Sequence, residues 1–160
     1  MEAGVFLEFR NHPYTKKVKE RISVNEKILI QAAMDGLKYS YAPYSNFNVA
    51  AALLGKSGEI YVGCNIENAA LSPGMCAERV AFAKAISSGE KEFTAIAIVG
   101  GKDGECTQFC FPCGVCRQVM MEFCNPKEFK IIAAINIDEY EIYTLEQLLP
   151  NAFGPGTVSV

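Results

Sequence analysis

The apolar run Ala-Ile-Ala-Ile-Val at 95–99 decides the predicted fold, together with the similar run Ile-Ile-Ala-Ala-Ile at 131–135. Unbroken apolar runs of this length are typical of strands that are covered on both faces of a sheet. Between them, apolar residues from Cys116 to Phe123 recur at helical spacing. A strand, a helix and a second strand in this order predict a right-handed parallel crossover.

Two helices and a hairpin are predicted on the amino-terminal side of this crossover. The first helix begins at the capping box 23–26 and extends to about Tyr39. Residues 48–54 and 60–64 are apolar runs joined by a Gly-containing turn, which predicts a hairpin. Residues 77–87 are apolar almost all round, so we expect a buried helix there.

The carboxyl-terminal side should add one strand and one short helix. Residues 139–143 alternate in polarity like an edge strand, and the link from Ile135 is too short for a crossover. We therefore expect this strand to be antiparallel to its neighbour, with a short helix at 144–149 after it. The whole predicts an α/β fold with a mixed sheet of about five strands backed by helices.

The composition limits the protein to a few classes. The chain has 160 residues, 50% hydrophobic and 21% charged, which is typical of a globular protein. We expect one domain at 23–160, preceded by a polar and basic extension at 1–22 for which disorder is one interpretation. The net charge of -3 argues against a protein that binds polynucleotide phosphates. No apolar run approaches the roughly 20 residues of a membrane helix, so we expect no membrane association.

The cysteine content points to a reducing compartment. The chain has seven cysteines, at 64, 76, 106, 110, 113, 116 and 124. An odd number does not fit a secreted disulfide framework, and residues 1–10 lack the features of a signal peptide. We therefore expect a cytoplasmic protein whose cysteines are core residues, metal ligands or nucleophiles.

The strongest chemical signal combines two predicted helix beginnings. Cys76 precedes one helix, and Cys113 and Cys116 begin the next. Zinc prefers thiolate ligands, and a catalytic zinc keeps three protein ligands and one open position. Glu78, two residues after a ligand, would exchange protons with water and substrate. Arg79 is the candidate cation beside the sulfurs, and it would offset their charge.

These residues resemble the small, nucleoside-specific cytidine deaminases. Cys-Ala-Glu-Arg at 76–79 and Pro-Cys-Gly-Val-Cys-Arg-Gln at 112–118 carry the resemblance. Tyr-Ala-Pro-Tyr-Ser-Asn-Phe at 41–47, Gly-Cys-Asn-Ile-Glu-Asn-Ala at 63–69 and Glu-Gln-Leu-Leu-Pro at 146–150 agree with it. The resemblance covers roughly residues 24–154. It implies a three-layer fold with helices on both faces of the sheet, and one zinc ion in each subunit.

The resemblance also implies an activity and roles for single residues. The reaction would be the hydrolytic deamination of cytidine, and of 2′-deoxycytidine, in pyrimidine salvage. Glu78 would move the proton, the Ala77 backbone would contact the base, and Phe47 would lie against the pyrimidine ring. Asn65 and Glu67 would hold the sugar hydroxyls.

Two further residues and the assembly follow from the family alone. Phe153 matches an aromatic residue that family members insert into the active site of a neighbouring subunit, and Tyr44 matches an interface position. The implied partners are a small nucleoside and three further copies of the chain, in a homotetramer with shared active sites. At Leu71 many family members have an aromatic residue, so the wall of the pocket near Leu71 is left undefined. The chain also departs from the family pattern at Val80 and Phe111.

Other interpretations remain open for the same residues. Cys113 and Cys116 alone could form a structural zinc site, and Glu78 could be the buried ion-pair partner of Arg79. Cys106, Cys110 and Cys113 have the spacing of an iron–sulfur loop. Two rival functions are a deaminase that acts on bases within RNA or DNA, and a non-catalytic zinc domain with Cys110 as fourth ligand.

Overall fold

The structure is a computed structural model that describes residues 26–157. The extension at 1–22 and Ser23 of the predicted capping box lie outside the described residues. The helices are α1 (Glu26–Gly36), α2 (Ala77–Ser87), α3 (Gly114–Phe123) and α4 (Leu145–Leu148). The strands are β1 (Phe47–Gly55), β2 (Ile60–Cys64), β3 (Phe93–Lys102), β4 (Lys130–Ala134) and β5 (Tyr140–Thr144).

The five strands form one mixed sheet in the order β2-β1-β3-β4-β5. β1 is antiparallel to both β2 and β3, so the predicted hairpin is confirmed. β3 and β4 are parallel and α3 joins them, which confirms the predicted crossover. β5 is antiparallel to β4 at the edge of the sheet, also as predicted.

The helices cover both faces of the sheet, so the fold has the expected three layers. Alternate side chains of a strand point to opposite faces. On one face, Ala50 and Ala52 of β1 pack in a cluster with Leu29 and Ile30 of α1. On the other face, Leu53 packs in a cluster that includes residues of α2 and α3.

Several element boundaries differ by a few residues from the prediction. α1 ends at Gly36, and a 3₁₀ turn then extends to Tyr39. β3 continues past the apolar run to Lys102, because Gly100 and Gly101 still pair with β1. Hydrophobicity alone could not indicate this extension, since strand pairing uses backbone groups.

A glycine brings α2 close to the sheet. A Cβ atom at Gly63 of β2 would lie 2.4 Å from both the Ala77 carbonyl oxygen and the Ala81 nitrogen. Only a residue without a side chain permits this approach. Gly63 thereby fixes the height of the first turn of α2 over β2, and this turn follows Cys76.

Within residues 26–157, no helix combines the length and apolarity needed to cross a bilayer.

Candidate active site

A cleft of about 540 Å³ lies where α2 and α3 begin. Cys76 and Cys113 are the N-cap residues of the two helices, and Cys116 lies in the first turn of α3. We call the side formed by Cys76, Ala77, Glu78, Cys113 and Cys116 the cysteine wall. A second group of cleft residues, Tyr44, Ser45, Asn65 and Glu67, together with the adjacent Phe47, is called the serine wall.

The three predicted sulfur ligands converge in the cysteine wall. Their Sγ atoms all lie within 4.8 Å of one another. Cys76 Sγ is 3.8 Å from Cys113 Sγ, which is 3.4 Å from Cys116 Sγ. A tetrahedral zinc with Zn–S bonds of about 2.3 Å separates two sulfurs by about 3.8 Å. The donor set therefore fits zinc in both chemistry and spacing.

The electrostatics of the sulfurs favour a bound cation. The pKa of Cys76 is lowered to about 6, mainly because the Cys116 thiol donates to its sulfur, with contributions from Cys113 and the nearby charge of Arg79. The pKa of Cys116 is raised, because its thiol keeps the proton that it shares with Cys76. Thus a thiolate forms easily at this position, and thiolate is the form that binds metal.

Glu78 is the buried carboxyl of the cysteine wall. It is 4% exposed, and it is the only charged residue in the buried core of the described chain. The pKa of Glu78 is raised to about 7, mainly by burial, with a contribution from the neighbouring Cys76. None of the ion pairs among residues 26–157 joins Glu78 to Arg79, so the ion-pair interpretation is not supported.

Hydrogen bonds hold the side chain of Asn65 in the serine wall. Its Oδ1 atom accepts from Ser40 Oγ at 2.5 Å and from the Val49 N–H at 2.8 Å. Its Nδ2 atom donates to the Phe47 carbonyl oxygen at 2.8 Å. Asn65 thus ties β1 to the segment that follows β2.

Glu67 holds the turn before β1. Its Oε2 atom accepts from the backbone N–H groups of Tyr44 and Ser45, at 2.9 and 3.2 Å. Its Oε1 atom accepts from Ser45 Oγ at 2.5 Å. These donors lower the pKa of Glu67, the Ser45 hydroxyl most of all. Sequence patterns did not identify Ser40 or Ser45, because a serine inside a motif carries no distinct signal.

The structure does not place every predicted site residue in the cleft. The cleft is lined by most of the cysteine wall, including Ala77, and by Tyr44, Asn65 and Glu67. The Phe47 ring is half-buried beside the cleft and is not among its lining residues. Phe153 is 63% exposed and lies outside the cleft of its own chain.

The cleft wall that departs from the family pattern is apolar and open. Leu71 is 89% exposed and Phe111 is 40% exposed, and both line the cleft. The Phe111 ring packs edge-on against Tyr143, with ring centroids 5.7 Å apart. Two large apolar groups at the mouth of the cleft are suited to contact a ligand or another chain.

Arg117 lies beside the loop that precedes Cys113, and Cys110 lies in the cleft. Arg117 donates to the carbonyl oxygens of Pro112 and Leu148, at 2.8 and 2.7 Å, so it supports the loop before Cys113. Cys110 lines the cleft, where burial raises its pKa to about 12. Among the described residues it is not part of the sulfur cluster, which disfavours both the iron–sulfur and the four-ligand interpretations.

Comparison with known proteins agrees with this geometry. Residues 23–133 match the family described as cytidine and deoxycytidylate deaminase zinc-binding region. A cytidine deaminase of Sporosarcina psychrophila is 44% identical over 131 residues, which cover 82% of this chain and 93% of the relative. The chain belongs to the cytidine deaminase family. The resemblance inferred from the sequence motifs is thereby confirmed.

Solved structures of cytidine deaminases share the fold. The enzyme from Burkholderia pseudomallei has a TM-score of 0.71 and 40% identity, and the match covers 79% of this chain and 97% of that one. The enzyme from Mycobacterium tuberculosis has a TM-score of 0.70 and 34% identity, and the match covers 82% and 98%. The three-layer α/β architecture of this chain is therefore the cytidine deaminase fold.

Proposed function

We propose that this protein removes the amino group of cytidine and of 2′-deoxycytidine by hydrolysis, which gives uridine or deoxyuridine and ammonia. The reaction would serve pyrimidine salvage in the cytoplasm. The cysteine wall carries this proposal. Three convergent sulfurs and a buried carboxyl lie side by side at the base of a cleft whose volume suits a small molecule. Membership of the cytidine deaminase family supports the choice of substrate.

Cys76, Cys113 and Cys116 would hold one zinc ion in each subunit. A zinc ion there supplies the Lewis acidity that lets water act as a nucleophile at neutral pH. The beginnings of α2 and α3 direct positive dipole ends at the thiolates and so stabilise them. Arg79 adds a positive charge from outside the cleft.

Glu78 would move the proton. Its carboxyl would take one proton from the attacking water and deliver it to the ring nitrogen. It would then take the second proton, from the hydroxyl newly bonded to the ring carbon, and deliver it to the departing amine as the C–N bond breaks. One water is consumed and one ammonia is released, so the reaction balances. Burial keeps bulk water from competing for this proton, and Glu78 is 4% exposed.

Asn65 and Glu67 would bind the sugar. The hydrogen-bonding positions that remain on these two side chains suit one hydroxyl group. Within residues 26–157, both acceptor positions of Asn65 Oδ1 are occupied, and one N–H of Nδ2 has no partner. Three donors from the same described residues occupy the Glu67 carboxylate, which leaves one acceptor position. A single hydroxyl can accept from Asn65 and donate to Glu67. Since one hydroxyl suffices, 2′-deoxycytidine should also bind.

The charge of the cleft favours a nucleoside over a nucleotide or a polynucleotide. The cleft-lining residues of the described chain include Glu67 and Glu78 and no lysine or arginine. Phosphate recognition in single strands needs a basic groove with stacking aromatics.

Two residues would bind the base of the nucleoside. The Ala77 backbone would contact the base, and Phe47 would pack against the pyrimidine ring.

The assembly would be a homotetramer. Phe153 and Tyr44 are 63% and 60% exposed in the single chain, although both are large aromatic residues. Large exposed aromatics are typical of residues that become buried at an interface. Phe153 would complete the active site of a neighbouring subunit, and Tyr44 would contact that neighbour.

The proposal is tested by measuring the metal content and the activity of one sample. We expect one zinc per chain and a decrease in absorbance as cytidine or deoxycytidine is converted. Deoxycytidylate and a cytosine-containing oligonucleotide serve as the comparison substrates, and both should react much more slowly. A zinc-loaded protein without activity on the free nucleosides would refute the proposal.

A further inference from the structure

Ser45 joins the two groups of the serine wall that are proposed to bind the nucleoside. Its Oγ atom donates to Glu67 Oε1 at 2.5 Å and accepts from the Phe47 N–H at 3.0 Å. Its own backbone N–H donates to Glu67 Oε2 at 3.2 Å. One hydroxyl thus bridges the carboxylate proposed for the sugar and the residue proposed for the base.

The surrounding turn has few other means of holding this geometry. Tyr44, Ser45 and Asn46 are all exposed, so packing contributes little. Asn46 has a φ of 53°, in the left-handed region that non-glycine residues seldom adopt. The backbone is fixed by hydrogen bonds, including one of 2.7 Å from the Asp103 N–H to the Asn46 carbonyl oxygen.

We infer that Ser45 is a positioning residue for the proposed reaction. It orients the Glu67 carboxylate so that its one free acceptor position faces the sugar, and it fixes the start of β1 at Phe47. This inference rests on the proposed function and adds a determinant of nucleoside affinity. The Ser45 hydroxyl is also the main cause of the low pKa of Glu67, which keeps the acceptor ionised.

The effect should appear in substrate affinity rather than in chemistry, because the hydrogen bonds of Ser45 within residues 26–157 join it to Glu67 and Phe47 and not to the cysteine wall. Loss of a hydrogen bond to a charged group should raise KM for cytidine about tenfold in Ser45→Ala. The value of kcat should stay within about twofold and the zinc content should not change. Ser45→Thr keeps the hydroxyl and should restore KM to within about threefold.

The experiment measures kcat, KM, zinc content and melting temperature for wild type, Ser45→Ala and Ser45→Thr. Ser87→Ala is the matched control, since the Ser87 hydroxyl only donates to the Lys84 carbonyl oxygen at the far end of α2. Cytidine is compared with 2′,3′-dideoxycytidine, by single-turnover kinetics if its reaction is slow. In the absence of the 2′- and 3′-hydroxyls, kcat/KM should fall less than about threefold in Ser45→Ala.

Several results would overturn the inference while the proposed function stands. These are a wild-type KM for cytidine in Ser45→Ala, an equal loss with both substrates, a loss confined to kcat, or no rescue by threonine. An inactive, zinc-loaded wild type would instead refute the proposed function, and the inference with it. The two failures are therefore distinguishable.

Discussion

The cysteine wall and the serine wall of the cleft are stabilised by different interactions. Ala77, Glu78 and Cys116 are buried, and helices anchored in the core carry them. The turn at 44–46 is exposed, and backbone and side-chain hydrogen bonds to Glu67 hold it. Substitutions in the cysteine wall should therefore affect metal binding, chemistry and folding, and those in the serine wall should affect substrate affinity.

The largest expected effect is the loss of the metal in the cysteine wall. Cys113→Ala removes a sulfur that lies 3.8 and 3.4 Å from the other two. We expect zinc content and turnover to fall to background. Thermal stability should also fall, because metal sites can contribute roughly 10–16 kcal/mol of binding energy in small domains. Metal analysis and thermal unfolding measure both effects.

Cys110→Ser is the matched control for that substitution. Cys110 lines the same cleft but is not part of the sulfur cluster. It should keep both zinc and turnover. Loss of zinc in Cys110→Ser would mean that the metal has four protein ligands. The cysteine wall would then be a structural site rather than a catalytic one.

Glu78→Gln should separate chemistry from metal binding. Because an amide cannot move the proton, kcat should fall by about 10²–10⁴-fold while zinc remains bound. The melting temperature should not fall, since the amide is isosteric and avoids the cost of burying a charge. Glu122→Gln, on the exposed side of α3, is the control. Retained activity in Glu78→Gln would remove the proposed proton carrier.

Gly63→Ala tests how the core positions the cysteine wall. The added Cβ would lie 2.4 Å from backbone atoms of α2, which must then move. Overpacking of this kind costs about 1–3 kcal/mol in the free energy of unfolding. Gly156→Ala, where a Cβ meets no atom within 4 Å, should change little. Chemical denaturation compares the two variants, and equal stabilities would show that the contact is easily relaxed.

Phe153→Ala tests whether a third region, from a neighbouring subunit, completes the cleft. We expect kcat/KM to fall about tenfold, as for the loss of one good contact, with an unchanged circular dichroism spectrum. Co-expression with Glu78→Gln gives a sharper result. If sites are shared, a subunit with intact Glu78 receives Phe153 from its neighbour, and mixed assemblies regain activity. If the co-expressed protein is only as active as the two separate variants added together, each active site is complete within one subunit.

The smallest effect should lie outside both walls, in the ion pair between Glu26 and Lys130. These groups are 3.2 Å apart, and the pKa of Glu26 is lowered by its own backbone N–H and by Lys130. A lowered folded-state pKa stabilises the protein above the ordinary pKa of 4.5, and this stability is lost as the pH falls.

Glu26→Gln should therefore lose about 0.5 kcal/mol of unfolding free energy at pH 7. At a pH below the lowered pKa of Glu26 it should match the wild type, because the wild-type carboxyl is then protonated as well. Urea titrations at both pH values measure this difference. A loss of the same size at both pH values would show that the glutamate acts through packing rather than charge.

Much of the fold could be predicted from the sequence, because hydrophobic patterns report which faces are buried. The runs at 95–99 and 131–135 gave the parallel pair, and the short link after Ile135 gave the antiparallel edge. The extension of β3 through Gly100 and Gly101 was missed, since glycines carry no hydrophobic signal. The three cysteines that the structure brings together could be singled out from the sequence, since only a few residue types bind zinc well.

The roles within the serine wall could not be predicted in the same way. The family resemblance implied that Asn65 and Glu67 hold the sugar hydroxyls, and the structure shows that they hold the backbone at Val49, Phe47 and Tyr44. A polar side chain in a loop can donate and accept in many directions. Its partners therefore depend on how the chain folds around it.

The amino-acid sequence by itself determined the strands and helices of the mixed sheet and the cysteines that could bind a metal, because burial patterns and ligand chemistry are properties of single residues and their spacing. Only the tertiary structure decided the 4.8 Å convergence of Cys76 with Cys113 and Cys116, the close approach at Gly63 and the bridge made by Ser45. Each of these features is a contact between groups from different segments of the chain. The distance between such groups is fixed only when the segments pack together.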